Sequence, residues 1–130
     1  QQSPMLGGSI MTAYNTTLLI KKIIEKTRSL IIKWEKYDVN NDLNKFSSKY
    51  FSTINEINSN AGYFMSYYNG RLFLLPDFSG KLYLFMQPDP QYLPFTFVPP
   101  GQNDSQLSEL ESCIKSTFNP VDIFVNQLLH

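Results

Sequence analysis

Tyr63–Leu75 reads YFMSYYNGRLFLL, two aromatic and aliphatic runs around an Asn69-Gly70 pair. Asn-Gly supplies the two positive-φ positions of a type I′ turn, whose twist matches that of paired strands. Tyr63–Tyr68 and Arg71–Leu75 are therefore expected as a hairpin. Pro76–Gly80 breaks the ladder, and Lys81–Gln87 starts a third apolar run, so three strands form a meander. Pro88, Pro90 and Pro94 keep the next segment out of a central strand, which leaves Phe95–Val98 as an edge strand or extended cover, ended by Pro99-Pro100-Gly101.

Upstream, Leu19, Ile20, Ile23, Ile24 and Thr27 fall at the three-and-four spacing of one helical face, opposite Lys22 and Lys26, and predict an amphipathic helix over Met11–Arg28. Ser29–Tyr37 either continues that helix or turns into a strand. As a helix it places Ile32 on the charged side. As a strand it lines Leu30, Ile32 and Trp34 on one face with Lys33 and Glu35 pointing away, which is the better fit. The helical reading alone would align Lys22, Lys26, Lys33 and Lys36 into a basic stripe. Asp38–Lys45 reads as a polar loop, and Tyr50–Ile57, rich in aromatic and β-branched residues, as a further strand. Downstream, Asn103, Asp104 or Ser105 caps a helix with Leu107, Leu110 and Ile114 on its buried face. Asn119 caps another, with Pro120 at its first position and Ile123, Phe124 and Leu128 as its stripe.

The expected fold is therefore α+β: an N-terminal helix, a four- to five-stranded, mostly antiparallel meander sheet, and two C-terminal helices packed on the sheet. At 130 residues, one domain fits the length. Residues 1–10, which have no initiator at Gln1 and precede Met11, read as a tag remnant or a disordered lead, and 11–130 as a single α+β domain.

Eleven basic and eleven acidic side chains cancel, so no overall field draws in nucleic acid. The charge is nonetheless uneven: residues 1–50 hold eight basic and four acidic groups, and 51–130 hold three and seven, giving +4 and −4. Mutual attraction within one folded domain accounts for that split. No apolar run approaches the length of a bilayer span, and residues 1–10 lack the charge and apolar core of a signal peptide; a cytoplasmic protein is expected, with no membrane partner.

The same residues also carry a resemblance. A leading helix ending in Lys26-Thr27, a strand with Trp34, a sheet ending in Leu82–Pro88 with Gln87-Pro88-Asp89, and closing helices with Val121–Phe124 make residues 12–129 resemble a set of small uncharacterised α+β proteins of low-GC Gram-positive bacteria and their mobile elements. No activity is established for that set, so the resemblance implies no catalytic residue. The chain departs from it in lacking a glycine between Thr27 and Trp34.

Little in the sequence points to catalysis. The only histidine, His130, is terminal and leaves a nucleophile system without a positioned base. There is no phosphate-binding glycine loop. Cys113, the lone cysteine, sits beside Leu110 and Ile114 and reads as a small core residue. Asp77 and Asp89 come after prolines at strand ends; two carboxylates brought close could hold a cation or do acid/base work, although Pro-Asp is ordinary turn chemistry. No cofactor or metal is expected.

The aromatics say more. Tyr63, Phe64, Tyr67, Tyr68, Phe73, Tyr83 and Phe85 occupy both faces of three successive strands. If helices cover one face, the other is an exposed aromatic surface. Tyr63, Tyr67, Tyr83 and Phe85 are the candidate interface residues. The function expected is a non-enzymatic protein-interaction module, of the kind a phage or mobile element uses as an accessory or inhibitor protein, bound to a protein partner or to itself. The alternative is a small-ligand-binding domain with an aromatic pocket between sheet and helices.

Overall fold

A computed structural model describes residues 4–38, 57–98 and 101–129 of the chain. It opens with α1, Pro4–Arg28, so the helix starts at Pro4 rather than at Met11. Ile20, Ile23, Ile24 and Thr27 are buried, as the periodicity requires. The helix ends in a Schellman motif: the Ile31 amide donates to the Lys26 carbonyl at 2.9 Å and the Leu30 amide to Thr27 at 3.1 Å. Leu30 takes the left-handed position at φ 62°, where glycine usually stands; the chain has no glycine between Thr27 and Trp34 to fill it. A leucine held there bears steric strain of roughly 1–2 kcal/mol.

Past this turn the chain is extended. Ile32 and Trp34 are buried while Ile31, Lys33 and Glu35 are exposed, the alternation of the strand reading. Ladder pairing is confined to β1, Glu35–Lys36. The Lys22–Lys36 stripe is broken accordingly, since Lys33 and Lys36 lie beyond the helix. Trp34 closes onto α1 through its indole N–H, which donates to the Thr27 hydroxyl at 2.9 Å, while that hydroxyl donates to the Ile23 carbonyl at 2.8 Å. Both buried polar groups are thus satisfied, and the last turn of α1 is tied to the start of the sheet.

Among the described residues the sheet is a five-stranded antiparallel meander in the order β1-β2-β3-β4-β5. β2 is Tyr63–Tyr67, β3 Gly70–Pro76, β4 Leu82–Gln87 and β5 Phe95–Thr96, the last an edge strand as the prolines demand. The expected strand Tyr50–Ile57 and loop Asp38–Lys45 lie outside the described residues except at their ends, where Ile57 bridges Asp77.

The hairpin register differs from the one expected of Asn69-Gly70. Tyr67 pairs with Gly70, so the two-residue loop is Tyr68-Asn69, and the positive φ, 54°, falls on Tyr68. This register sets Phe64 against Phe73 and Met65 against Leu72. A turn centred on Asn69-Gly70 would displace each pair by two residues and set Tyr63 against Pro76. Gly70 serves a different end: a Cβ there would lie 3.1 Å from the Gln87 carbonyl oxygen and 3.2 Å from that of Pro88. Its missing side chain lets the end of β4 come close.

Two cores flank β3. On one face Leu72 and Leu74 pack with Met65, Leu84, the isoleucines of α1 and the apolar face of α2, Asp104–Ser116. Leu107, Leu110 and Ile114 are that face, as expected, and Cys113 packs half-buried beside it. On the other face Phe73, Leu75 and Phe85 are completely buried with Tyr37. Tyr37 meets Phe64 and Phe73 edge-on at 6.0 and 5.6 Å between centroids. The second sheet face is therefore a second core and not the exposed aromatic surface expected. Double burial explains why β3 reads as an unbroken apolar run rather than an alternation.

The last helix, α3, Pro120–Leu129, is capped as predicted, the Asn119 carboxamide oxygen accepting from the Val121 amide at 2.9 Å. Its packing departs from expectation. None of its residues is buried; Asp122, Ile123 and Asn126 turn partly inward, and Phe124 and Leu128 of the predicted core stripe face solvent.

Trp34→Ala should cost about 3–5 kcal/mol as a large-to-small core change, and Trp34→Phe, which keeps a ring but removes the donor to the Thr27 hydroxyl oxygen, about 1–2 kcal/mol. Urea unfolding of the two variants checks both values and their order.

Candidate functional site

α1 crosses the sheet so that Leu19 and Ile23 stand over Met65, Leu72 and Met86, and the space between them opens at the β2–β3 turn as a groove of about 420 Å³. Its floor is apolar because it continues the first core outward. Gln87 also reaches it, but both ends of its carboxamide are engaged: the oxygen accepts from Arg71 Nε at 2.9 Å and the nitrogen donates to the Tyr92 carbonyl at 3.0 Å. The rim is polar on one side and aromatic on the other. Lys22 and Lys26, one helical turn apart, line the α1 side. Tyr67 and Tyr68 line the hairpin side, edge to face with centroids 4.7 Å apart. Lys26 Nζ lies 5.9 Å from the centre of the Tyr67 ring, within cation–π range.

Tyr68 counts among the strand aromatics in the sequence but not among the four candidate interface residues. It is 91% exposed and held at a left-handed φ, which a bulky side chain rarely adopts. Neighbouring Asn69 would take that conformation at little cost. The signal was in the sequence as a second tyrosine before Asn-Gly, but reading the turn one residue later hid it.

The four candidate interface residues do not form one surface. Tyr63 and Tyr67 belong to the helix-covered face, and Tyr83 and Phe85 to the other. Phe85 has no exposed surface at all, and Tyr63 is buried and stacked on Phe118 at 5.7 Å. Tyr83 is half-buried and its hydroxyl donates to the Asp77 carboxylate at 3.4 Å; partial burial first, then the Asp77 charge, raise its pKa above the usual tyrosine value. Only Tyr67 of the four stands at a rim.

Asp77 and Asp89 are also separated. The β3–β4 ladder runs from Arg71↔Gln87 to Pro76↔Leu82, so Asp77, after Pro76, and Asp89, after Gln87, sit at opposite ends of the sheet. Each serves its own turn: Asp89 accepts from the Gln91 amide at 2.9 Å, and Asp77 Oδ1 accepts from the Ser79 hydroxyl and the Ser79 and Lys81 amides at 2.6, 2.8 and 2.9 Å. Among the described residues no group of three or more His, Cys, Asp or Glu side chains could hold a metal ion, and no helix is long and apolar enough to cross a membrane.

No protein-family model matches the chain, and neither a curated protein nor a solved structure is significantly similar to it.

The Asp77 turn and the Tyr68 turn act on stability in opposite directions. Hydrogen bonds from Ser79 first, and from Lys81, hold the Asp77 carboxyl below its usual pKa. Its contribution is present above the unfolded value of about 3.9 and fades as pH falls through the lower folded value. Asp77→Asn keeps an acceptor oxygen and should fold, be less stable than wild type at about pH 7, and converge with it near pH 2, as read by urea unfolding. Tyr68→Asn should raise stability by roughly 0.5–1 kcal/mol by releasing left-handed strain, measured in the same way.

Proposed function

We propose that the chain is a non-enzymatic protein-interaction module that acts through α3, and that the partner on this face is a second copy of the chain. The observation that carries this reading is the orientation of α3. Val121, Phe124, Val125 and Leu128 stand at i, i+3, i+4 and i+7, a complete apolar stripe, and it faces solvent, with Val121 69%, Phe124 60% and Leu128 70% exposed. The half-buried positions turned to the body are Asp122, Ile123 and Asn126, two of them polar. A helix that sets its more apolar face outward gains nothing from folding alone and gains from association.

Size and charge favour a second copy. With Phe118 and Leu129, the stripe presents on the order of 600 Å² of mainly apolar surface, the upper end for a monomer. Two such faces together remove about 1,200 Å² from water, enough for a specific interface at the lower limit of size. Asp122 is the only charged side chain on α3, which offers a charged partner little to complement. In an antiparallel pair centred between Phe124 and Val125, Val121 of one copy meets Leu128 of the other, and Asp122, turned to the body of its own copy, opposes no like charge. The zero net charge of the whole chain adds no general repulsion.

Sedimentation equilibrium across a concentration series should give a dimer mass for wild type and a monomer mass for Val125→Glu/Leu128→Glu with unchanged circular dichroism. A wild-type monomer throughout the series, or a doubly substituted chain that still dimerises, would overturn the reading.

A further inference from the structure

We infer that the groove between α1 and the β2–β3 turn binds a small amphiphilic monoanion, an apolar chain or ring bearing one carboxylate. No residue of α3 lines this groove, so the inference stands apart from the association proposed above.

The chemistry of the ligand is set by that of the walls. The groove measures about 420 Å³, within the roughly 300–1,000 Å³ of small-molecule clefts. Leu19, Ile23, Met65, Leu72 and Met86 offer its floor only apolar contacts, and the Gln87 carboxamide is already bonded at both ends. A ligand body with hydrogen-bonding groups would lose its water there without compensation, so the body is apolar. The rim supplies the charge. On the α1 side Lys22 and Lys26 bring two positive charges, and Glu25, 3.4 Å from Lys22 Nζ, takes back one, leaving one there to be balanced. Arg71 also lines the groove, but its guanidinium lies 4.8 Å from the centre of the Phe73 ring, towards the other face of the sheet, with Nε donating to Gln87; the cations left on the α1 side are lysines on flexible stems, which lack the fork that grips a divalent oxyanion in two places. One carboxylate held near Lys26, with the apolar body running under Tyr67, satisfies both surfaces.

The second observation is the turn itself. The register that pairs Phe64 with Phe73 sets the loop at Tyr68-Asn69 and gives Tyr68 its left-handed φ, with the ring almost fully exposed. This places the ring at the mouth of the groove, edge to face with Tyr67, where the two rings can close over an apolar chain.

Octanoate and 1-octanol are the probes, identical in chain and differing in charge. Titrated into the ¹⁵N-labelled full chain at neutral pH, octanoate should give saturable shifts of the Ile23, Lys26, Met65 and Asn69–Leu72 amides and bind at least tenfold more tightly than octanol. Lys22→Gln/Lys26→Gln should abolish that preference and leave the octanol affinity unchanged, and Lys22→Arg/Lys26→Arg should restore it. The dispersion of the spectra reports that each variant is folded. Equal affinities of wild type for acid and alcohol, saturable shifts confined to residues outside the groove, or no saturable shift with either probe would each overturn the inference.

Discussion

β3 has no face of its own in water. Leu72 and Leu74 belong to the core beneath α1 and α2, Phe73 and Leu75 to the core around Tyr37, and the rest of the described chain is arranged to keep both pairs covered. Because side chains alternate, a slip of one residue would send each pair into the wrong core. The register is therefore held on both sides of the strand. Gly62 lets the approach to β2 lie against β3, where a Cβ would stand 2.8 Å from the Leu74 carbonyl oxygen, and Gly70 lets the end of β4 close on the hairpin. The helices are held by the same demand. Ile20, Ile23 and Ile24 from α1 and Leu107, Leu110 and Ile114 from α2 share one core with Leu72 and Leu74, each side chain contributing about 1.5–3 kcal/mol on full burial.

Left-handed residues other than glycine stand at three turns among the described residues. The strain at Leu30 is offset by a result visible in the fold: the Schellman motif ends α1 and turns the chain so that Ile32 and Trp34 enter the core. Asn103, before α2, is similar in effect, its carboxamide nitrogen donating to Thr17 on α1 and to Gln106 at 3.0 and 2.7 Å. At Tyr68 the return is the strand register that sets Phe64 against Phe73, and the turn borders the α1 groove.

The two surfaces that the cores leave over are chemically unlike. The outer face of α3 is broad, nearly uncharged and convex, suited to another protein surface. The groove is narrow, concave and edged by ammonium groups, suited to one small anion. They share no residue, so loss of one should leave the other intact, and a chain of this size can carry both because its cores occupy the two faces of a single sheet.

Much of the architecture was legible along the chain. The helical faces of α1 and α2, the meander, the proline-limited edge strand and the Asn119-Pro120 start of α3 all derive from local periodicity, turn chemistry and capping, which depend on neighbours a few residues away. Trp34 as a core residue was legible for the same reason. The site was not. Whether Phe85 faces water or a second core depends on whether anything covers that side of the sheet, and alternation alone cannot say. Asp77 and Asp89 share a pattern in sequence but are set at opposite ends of the sheet by the antiparallel ladder. The hairpin turn falls one residue before Asn-Gly because pairing Phe64 with Phe73 outweighs the local preference of the turn. Ile123 and Phe124 are adjacent on one helix, and only docking against the body decides that the first turns inward and the second out. Each of these is a choice between alternatives that are locally equivalent, and it is made by long-range packing.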